Sequence, residues 1–174
     1  MIKTKSIKEN YLKNEVWVLS LNASFQRNGI YKKGAESKDK KLFKNELKDY
    51  IQDTILPKYK NQVDEKQHID NLNSIIVNSK EHSSILKDGQ LSTGTVQKLL
   101  NLSLKYYWCL GLIPEPPHFP IDRIIQKKLP PDRRNNWTEM SSEDYFSIIK
   151  AARDNLENDE TLAQWELRNY QRNA

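Results

Sequence analysis

The chain has 174 residues, 37% of them hydrophobic and 29% charged, and a formal net charge of +5. This length suits one domain, and the mixed charges and apolar fraction exclude a disordered chain. One cysteine and three scattered histidines exclude an internal disulfide and a four-ligand zinc site. No apolar run approaches the roughly 20 residues that span a bilayer, and residues 1–14 lack a signal-peptide pattern. We therefore expect a cytoplasmic protein without membrane contact or cofactor.

The N-terminal third predicts two helices separated by a polar loop. Residues 10–25 contain a continuous apolar run, 16–19, that suits either a strand or a buried helix. A helix is favoured because no later segment offers a strand partner. Residues 29–40 are polar and predict the loop. Residues 41–55 carry apolar side chains at helical spacing, and Pro57 is expected to close that helix.

The middle of the chain carries clear signals for helix ends. Asp64 followed by Gln67 predicts a capping box at the start of a helix. Residues 94–110 are apolar around most of the helix circumference, which predicts a central buried helix, and Gly111 ends it as a C′ glycine. Cys109 lies in an apolar run of this helix and is expected to be a small buried side chain.

The last third begins with a rigid connector. Residues 114–120 are rich in proline and predict an extended segment. Pro120 is expected in the first turn of a helix that continues through Leu129. A capping box of Ser141 and Asp144 predicts one further helix, and a final helix is predicted from about Thr161.

Taken together, these elements predict the all-α class, with a compact multi-helix domain over residues 1–174. Residues 1–40 form its N-terminal segment. Residues 94–170 form its core and hold the candidate site described next.

Two ionisable residues in this core are candidate catalytic groups. Lys98 lies near the start of the most apolar helix, and Asp122 lies in the first turn of the helix predicted after the connector. A partly desolvated lysine can act as a neutral nucleophile. A carboxylate opposite it can stabilise positive charge on a sugar or move protons. Such a pair suits the removal of a base from DNA, although each residue alone also suits an ordinary helix surface.

Basic and polar residues around this pair are candidate nucleic-acid contacts. A glycine before the lysine helix would let a phosphate approach the helix N-terminus, and basic residues beyond the aspartate would hold the phosphate backbone. Gln97 is a candidate either to read a base edge or to hydrogen-bond between helices, and His118 either to orient Asp122 or to contact a phosphate. The predicted nucleic-acid-binding residues are Gly94, Gln97, His118, Arg123, Lys127, Arg133 and Arg134.

The same stretch resembles the core of the helix-hairpin-helix DNA glycosylase/lyase superfamily, which includes the 8-oxoguanine DNA glycosylases. The matching residues are Gly94, Lys98, the aromatic-rich helix 99–108 and the segment Pro120-Ile121-Asp122. The resemblance implies a glycosylase-like helical fold, Lys98 as the Schiff-base nucleophile and Asp122 as the catalytic carboxylate. Val96 stands where that family has its second hairpin glycine.

A second resemblance is to a group of uncharacterised bacterial proteins. It covers residues 97–108 and 117–122 and implies no function. Three hypotheses follow from the sequence. The chain is a DNA glycosylase or abasic-site lyase, a helical nucleic-acid- or partner-binding module without catalysis, or an interaction protein without DNA affinity. The first requires that Lys98 and Asp122 face one cleft with Arg123 at its rim.

Overall fold

A computed structural model describes residues 2–26, 29–131 and 136–171. This described part is all-helical, as predicted, and contains no strand; an isolated bridge joins Tyr31 to Leu86. None of its helices is long and apolar enough to cross a membrane. The helices are α1 (Ile2–Phe25), α2 (Ser37–Tyr50), α3 (Glu65–Ser79), α4 (Thr93–Cys109), α5 (Arg123–Gln126), α6 (Ser142–Arg153) and α7 (Leu162–Asn169).

The first two helices confirm most of the prediction for the N-terminal third. Residues 10–25 are helical, within α1. Helix α2 begins at Ser37, four residues before the predicted start, and runs into a π-turn over Ile51–Ile55. The chain stays helical past Pro57. This proline lies in the first turn of a 3-10 helix over Leu56–Lys60, where a backbone N–H donor is not required.

The predicted helix caps are present. Asp64 accepts a hydrogen bond of 2.7 Å from the Gln67 backbone N–H, and the Gln67 side chain accepts one from the Asp64 backbone in return. A capping box also opens α6 at Ser141, as predicted, and α7 begins with a further box at Thr161 that was not predicted. Each box satisfies backbone donors that the helix itself leaves without a partner.

Helix α4 is the centre of the molecule and packs against α1, α3 and α6. Its Leu99, Leu100 and Leu104 side chains are fully buried in the hydrophobic core. The helix ends as predicted, with Gly111 at a φ of +68° and a 2.9 Å bond from the Leu112 N–H to the Tyr107 carbonyl.

Cys109 corrects a prediction, because it is exposed rather than buried. It lies in the last turn of α4, on the side that faces an open cleft. An apolar sequence neighbourhood does not bury a residue at a helix end when no other element covers that side.

The segment after the connector also differs from prediction, since α5 contains only four residues and starts after Asp122 instead of at Pro120. Two tertiary bonds tie the Ile121 backbone to the Gln97 side chain and hold the chain extended at that point. Asp122 is therefore the N-cap of α5, and its Oδ1 accepts bonds from the N–H groups of Ile124 and Ile125 at 2.8 and 3.0 Å.

Candidate functional site

The structure brings Lys98 and Asp122 together at the wall of one cleft. The Lys98 Nζ lies 3.8 Å from the Asp122 Oδ2, and the two side chains are 12% and 13% exposed. Arg123 is exposed beside Asp122 in the chain but does not line the cleft. The juxtaposition required by the catalytic hypothesis is thus present, while the predicted arginine rim is not.

Local structure explains where the two groups point. Asp122 is fixed by its capping role, because its Oδ1 binds the first turn of α5 while its Oδ2 faces Lys98. The Lys98 ammonium also lies 4.2 Å from the centre of the Trp137 ring, which belongs to a 3-10 turn over Trp137–Glu139. The carboxylate and the ring face both attract a cation, so they hold the ammonium at the cleft wall.

A second lysine–carboxylate pair, not predicted from the sequence, lines the same cleft. The Lys105 Nζ lies 2.7 Å from the Glu166 Oε2, and the Glu166 side chain is only 1% exposed. The Lys105 ammonium also lies 4.3 Å from the centre of the Tyr170 ring. Burial raises the pKa of the Glu166 carboxyl, the nearby Lys105 ammonium opposes that rise, and the charge of Asp122 adds to it.

We name this cavity the lysine cleft. It has a volume of about 410 Å³, and its walls include Lys98, Lys105, Tyr106, Asp122, Glu166 and Tyr170. The seven-residue spacing of the two lysines on one face of α4 was a usable sequence signal. Glu166 gave no such signal, because its position depends on how α7 docks against α4.

Gly94 has a packing role instead of the predicted phosphate contact. It is buried, and a Cβ atom at this position would lie 1.6 Å from the carbonyl oxygen of Trp137. The glycine therefore lets the turn that carries Trp137 lie directly against α4. The space that a phosphate would need is filled by the protein's own backbone.

Gln97 is also committed to the fold, which corrects its assignment as a base reader. Its side chain is fully buried. The amide nitrogen donates to the Ile121 carbonyl at 2.8 Å, and the amide oxygen accepts from the Ile121 N–H at 3.0 Å. The second interpretation of the sequence, a hydrogen bond between elements, is the one that holds, and Asn101 does the same by donating to the Phe119 carbonyl.

His118 does not orient Asp122 or reach a phosphate, since it is fully buried elsewhere. Its Nδ1 lies 2.7 Å from the Tyr145 hydroxyl, and its Nε2 lies 3.1 Å from a Glu65 carboxylate oxygen. Arg153 holds the same carboxylate at 3.1 and 3.2 Å. Burial lowers the pKa of His118, and the neighbouring Glu65 carboxylate opposes this effect.

His118 belongs to a buried group that we name the histidine cluster, formed by His68, His118, Tyr59 and Tyr145. The two imidazole rings lie 4.8 Å apart, and the His68 Nδ1 lies 2.7 Å from the Tyr59 hydroxyl. Burial lowers the pKa of His68 well below 6.5 and raises the pKa of both tyrosines. These groups are consequently uncharged at neutral pH and serve as hydrogen-bonding partners inside the core.

Of the remaining predicted nucleic-acid contacts, Arg123 and Lys127 are exposed, whereas Arg133 and Arg134 lie outside the described residues. Within the described ranges, no group of three or more His, Cys, Asp or Glu side chains is placed to hold a metal ion. Comparison of the chain with protein-family models, curated proteins and solved structures finds no match. A functional proposal therefore depends on the chemistry of this chain's own residues.

Proposed function

We propose that the lysine cleft is the active site of a base-excision-type DNA glycosylase or abasic-site lyase, with Lys98 as its amine nucleophile. The observation that carries this proposal is the 3.8 Å approach of the Lys98 Nζ to the Asp122 Oδ2 in a cleft that reaches solvent. An amine needs a nearby proton acceptor to become nucleophilic, and Asp122 provides one. The resemblance to helix-hairpin-helix glycosylases assigns the same two roles to the same two residues.

The reaction at an abasic site can be written with these groups. The neutral Lys98 amine, having passed a proton to Asp122, adds to the C1′ aldehyde of the ring-opened sugar, and loss of water gives an iminium ion. Removal of a C2′ proton by a carboxylate then breaks the C3′–O bond, and the 3′ phosphate leaves with the bonding electrons. Water finally hydrolyses the imine and releases Lys98.

Charge supports DNA as the macromolecular substrate. The chain carries a net charge of +5, and Arg123, Lys127 and Lys128 are exposed immediately after Asp122. Exposed basic side chains attract the phosphate backbone and release counterions on binding. We expect DNA affinity to fall steeply as the salt concentration rises.

A non-catalytic helical binding module is the second candidate, and one observation favours it. Asp122 caps α5 and Lys98 lies over Trp137, so the pair also has a structural explanation. In that role it would fasten the connector and the turn at Trp137 to α4. This candidate predicts salt-sensitive DNA or partner binding without any covalent intermediate.

The deciding experiment is reductive trapping on duplex DNA that contains one abasic site. With borohydride present, the wild type should form a covalent adduct and Lys98→Gln should form none, because only a Schiff base is reduced to a stable amine. Lys38→Gln, which removes a lysine whose side chain is 77% exposed on α2, is the matched control and should still be trapped. A folded wild-type protein that gives no adduct would reject the lyase and leave the binding module.

A further inference from the structure

Helix α1 carries an exposed stripe of mostly apolar side chains along its first half. Ile7 and Tyr11 are each 63% exposed, and Val18 is 48% exposed. Together with Asn14 they recur at spacings of four, three and four residues, which places all four side chains on one side of the helix. We name this set the α1 stripe. Its spacing is that of the seam along which two helices pack in a coiled coil.

The chain itself covers this side of α1 only near the end of the helix. There Phe25, seven residues after Val18, stacks on Phe43 of α2 with the ring centroids 6.4 Å apart. By contrast, no described side chain between residues 7 and 15 is buried. Helices in proteins gain most of their stability from packing of an apolar face. The first half of α1 therefore has an apolar face without the packing that such a face requires.

The charges beside the α1 stripe indicate what would cover it. Lys8 and Glu15 are both exposed, lie seven residues apart on the same flank of the stripe, and carry opposite charges. In an antiparallel pair of α1 helices, the residues of one helix meet those of the other in reverse order. Lys8 of each copy then comes close to Glu15 of the other copy. The α1 stripe is thus complementary in charge to a second copy of itself.

The same antiparallel register also matches the residues of the stripe. Ile7 packs against Val18 of the second copy, Tyr11 lies against Asn14, and the two-fold axis repeats both contacts. Asn14 suits this position because its side chain already accepts a hydrogen bond of 2.9 Å from the Lys48 ammonium. A parallel pair would instead leave Lys8 and Glu15 about 10 Å apart along the axis and would align the two helix dipoles unfavourably.

We propose that a second copy of this chain docks on the α1 stripe and forms an antiparallel, two-fold symmetric dimer. Residues 7–18 span about 18 Å of helix, so the contact is small and we expect a weak dimer whose population depends on protein concentration. Ala23, the α1 residue that lines the lysine cleft, lies on roughly the opposite side of the helix from the stripe. The dimer consequently leaves both clefts open.

Sedimentation velocity of the full chain, from low micromolar to millimolar concentration, tests this proposal. We expect a monomer at the lower end and a dimer at the upper end, without larger species, because a two-fold contact closes on itself. Ile7→Ser removes an apolar contact on both sides of the two-fold axis and should abolish the dimer over this range. Circular dichroism verifies that the variant remains folded.

Exchange of the two charges tests the register itself. Lys8→Glu or Glu15→Lys alone replaces two attractive contacts in the dimer by two repulsive ones and should raise the dimer Kd on the order of tenfold. The exchange variant Lys8→Glu/Glu15→Lys restores opposite charges and should restore the wild-type Kd. Lys38→Glu makes the same charge change at a 77% exposed lysine in the first turn of α2. It is the matched control and should leave the Kd unchanged.

Three outcomes overturn the inference. The wild type stays monomeric at every concentration, it forms species larger than a dimer, or the exchange variant dimerises as weakly as the single variants. Parallel runs with vesicles of neutral and of anionic phospholipid identify the other occupant of such a face. A monomer that sediments with the vesicles, and loses this binding on Ile7→Ser, would assign the α1 stripe to a lipid surface instead.

Discussion

The molecule holds two polar groups of opposite character, the buried histidine cluster and the lysine cleft beside α4. In the histidine cluster, burial keeps the imidazoles neutral, and each ring bonds to a tyrosine hydroxyl. In the lysine cleft, Lys98 and Lys105 are paired with carboxylates at a wall that reaches solvent. The contrast shows that buried polarity serves the fold where no ligand can reach it, and is available for chemistry where a ligand can.

The largest expected effect is a loss of stability on substitution of Gly94, which supports the wall of the lysine cleft without lining it. Gly94→Ala should lower the free energy of unfolding by about 3 kcal/mol or more, because the new Cβ would collide with the Trp137 carbonyl. Urea denaturation measures this change. Gly29→Ala is the matched control, since nothing lies within 4 Å of a Cβ there. Equal stability of the two variants would contradict the packing role assigned to Gly94.

A loss of stability of intermediate size is expected when a hydrogen bond of the histidine cluster is removed. Tyr145→Phe removes a hydroxyl bonded to His118 and Asn101 and should cost about 1–3 kcal/mol of stability. Tyr11→Phe changes a 63% exposed ring and should cost almost nothing by the same denaturation assay. Adduct formation by Tyr145→Phe should equal that of the wild type. A folded Tyr145→Phe protein that forms no adduct would show that the two polar groups are coupled.

The smallest expected effect is a gradual dependence of stability on pH. Because the pKa values of His68 and His118 are lowered from 6.5, the unfolded chain binds more protons than the folded chain below that pH. Stability should therefore fall as the pH drops through 6.5, by up to about 1.4 kcal/mol per pH unit for each histidine, until the folded pKa is reached. Denaturation at a series of pH values measures the slope, and His118→Gln should reduce it.

Two carboxyls also contribute to the pH dependence of stability. The pKa of Glu65 is lowered from 4.5, so its contribution to stability is lost only at still lower pH. The pKa of Glu166 is raised, so its contribution is present at low pH and is lost as the pH rises through the folded value. This loss opposes the histidine slope, so the neutral histidine cluster is tested by comparing the slopes of the wild type and His118→Gln, and equal slopes would contradict it.

Features encoded locally were predicted from the sequence, and features that depend on distant contacts were not. The capping box at Asp64 and the glycine at Gly111 need only neighbouring residues, and both are present. The start of α5 was misplaced because the side chain of Gln97, 24 residues away from Ile121, holds that segment extended. Lys98 and Asp122 were identified as a pair by their order and context, whereas Glu166 becomes a cleft residue only when α7 docks.

The two oxygens of Asp122 have different tasks, and this bears on how the chain can evolve. One oxygen caps α5 and the other faces Lys98. Under the proposed function, loss of the carboxylate would therefore harm both the fold and the chemistry, while loss of the Lys98 amine would harm mainly the chemistry. A descendant that abandons this proposed catalysis would be expected to change its lysine first and to keep its aspartate. Such a descendant would remain a folded protein with an empty cleft, open to selection for binding alone.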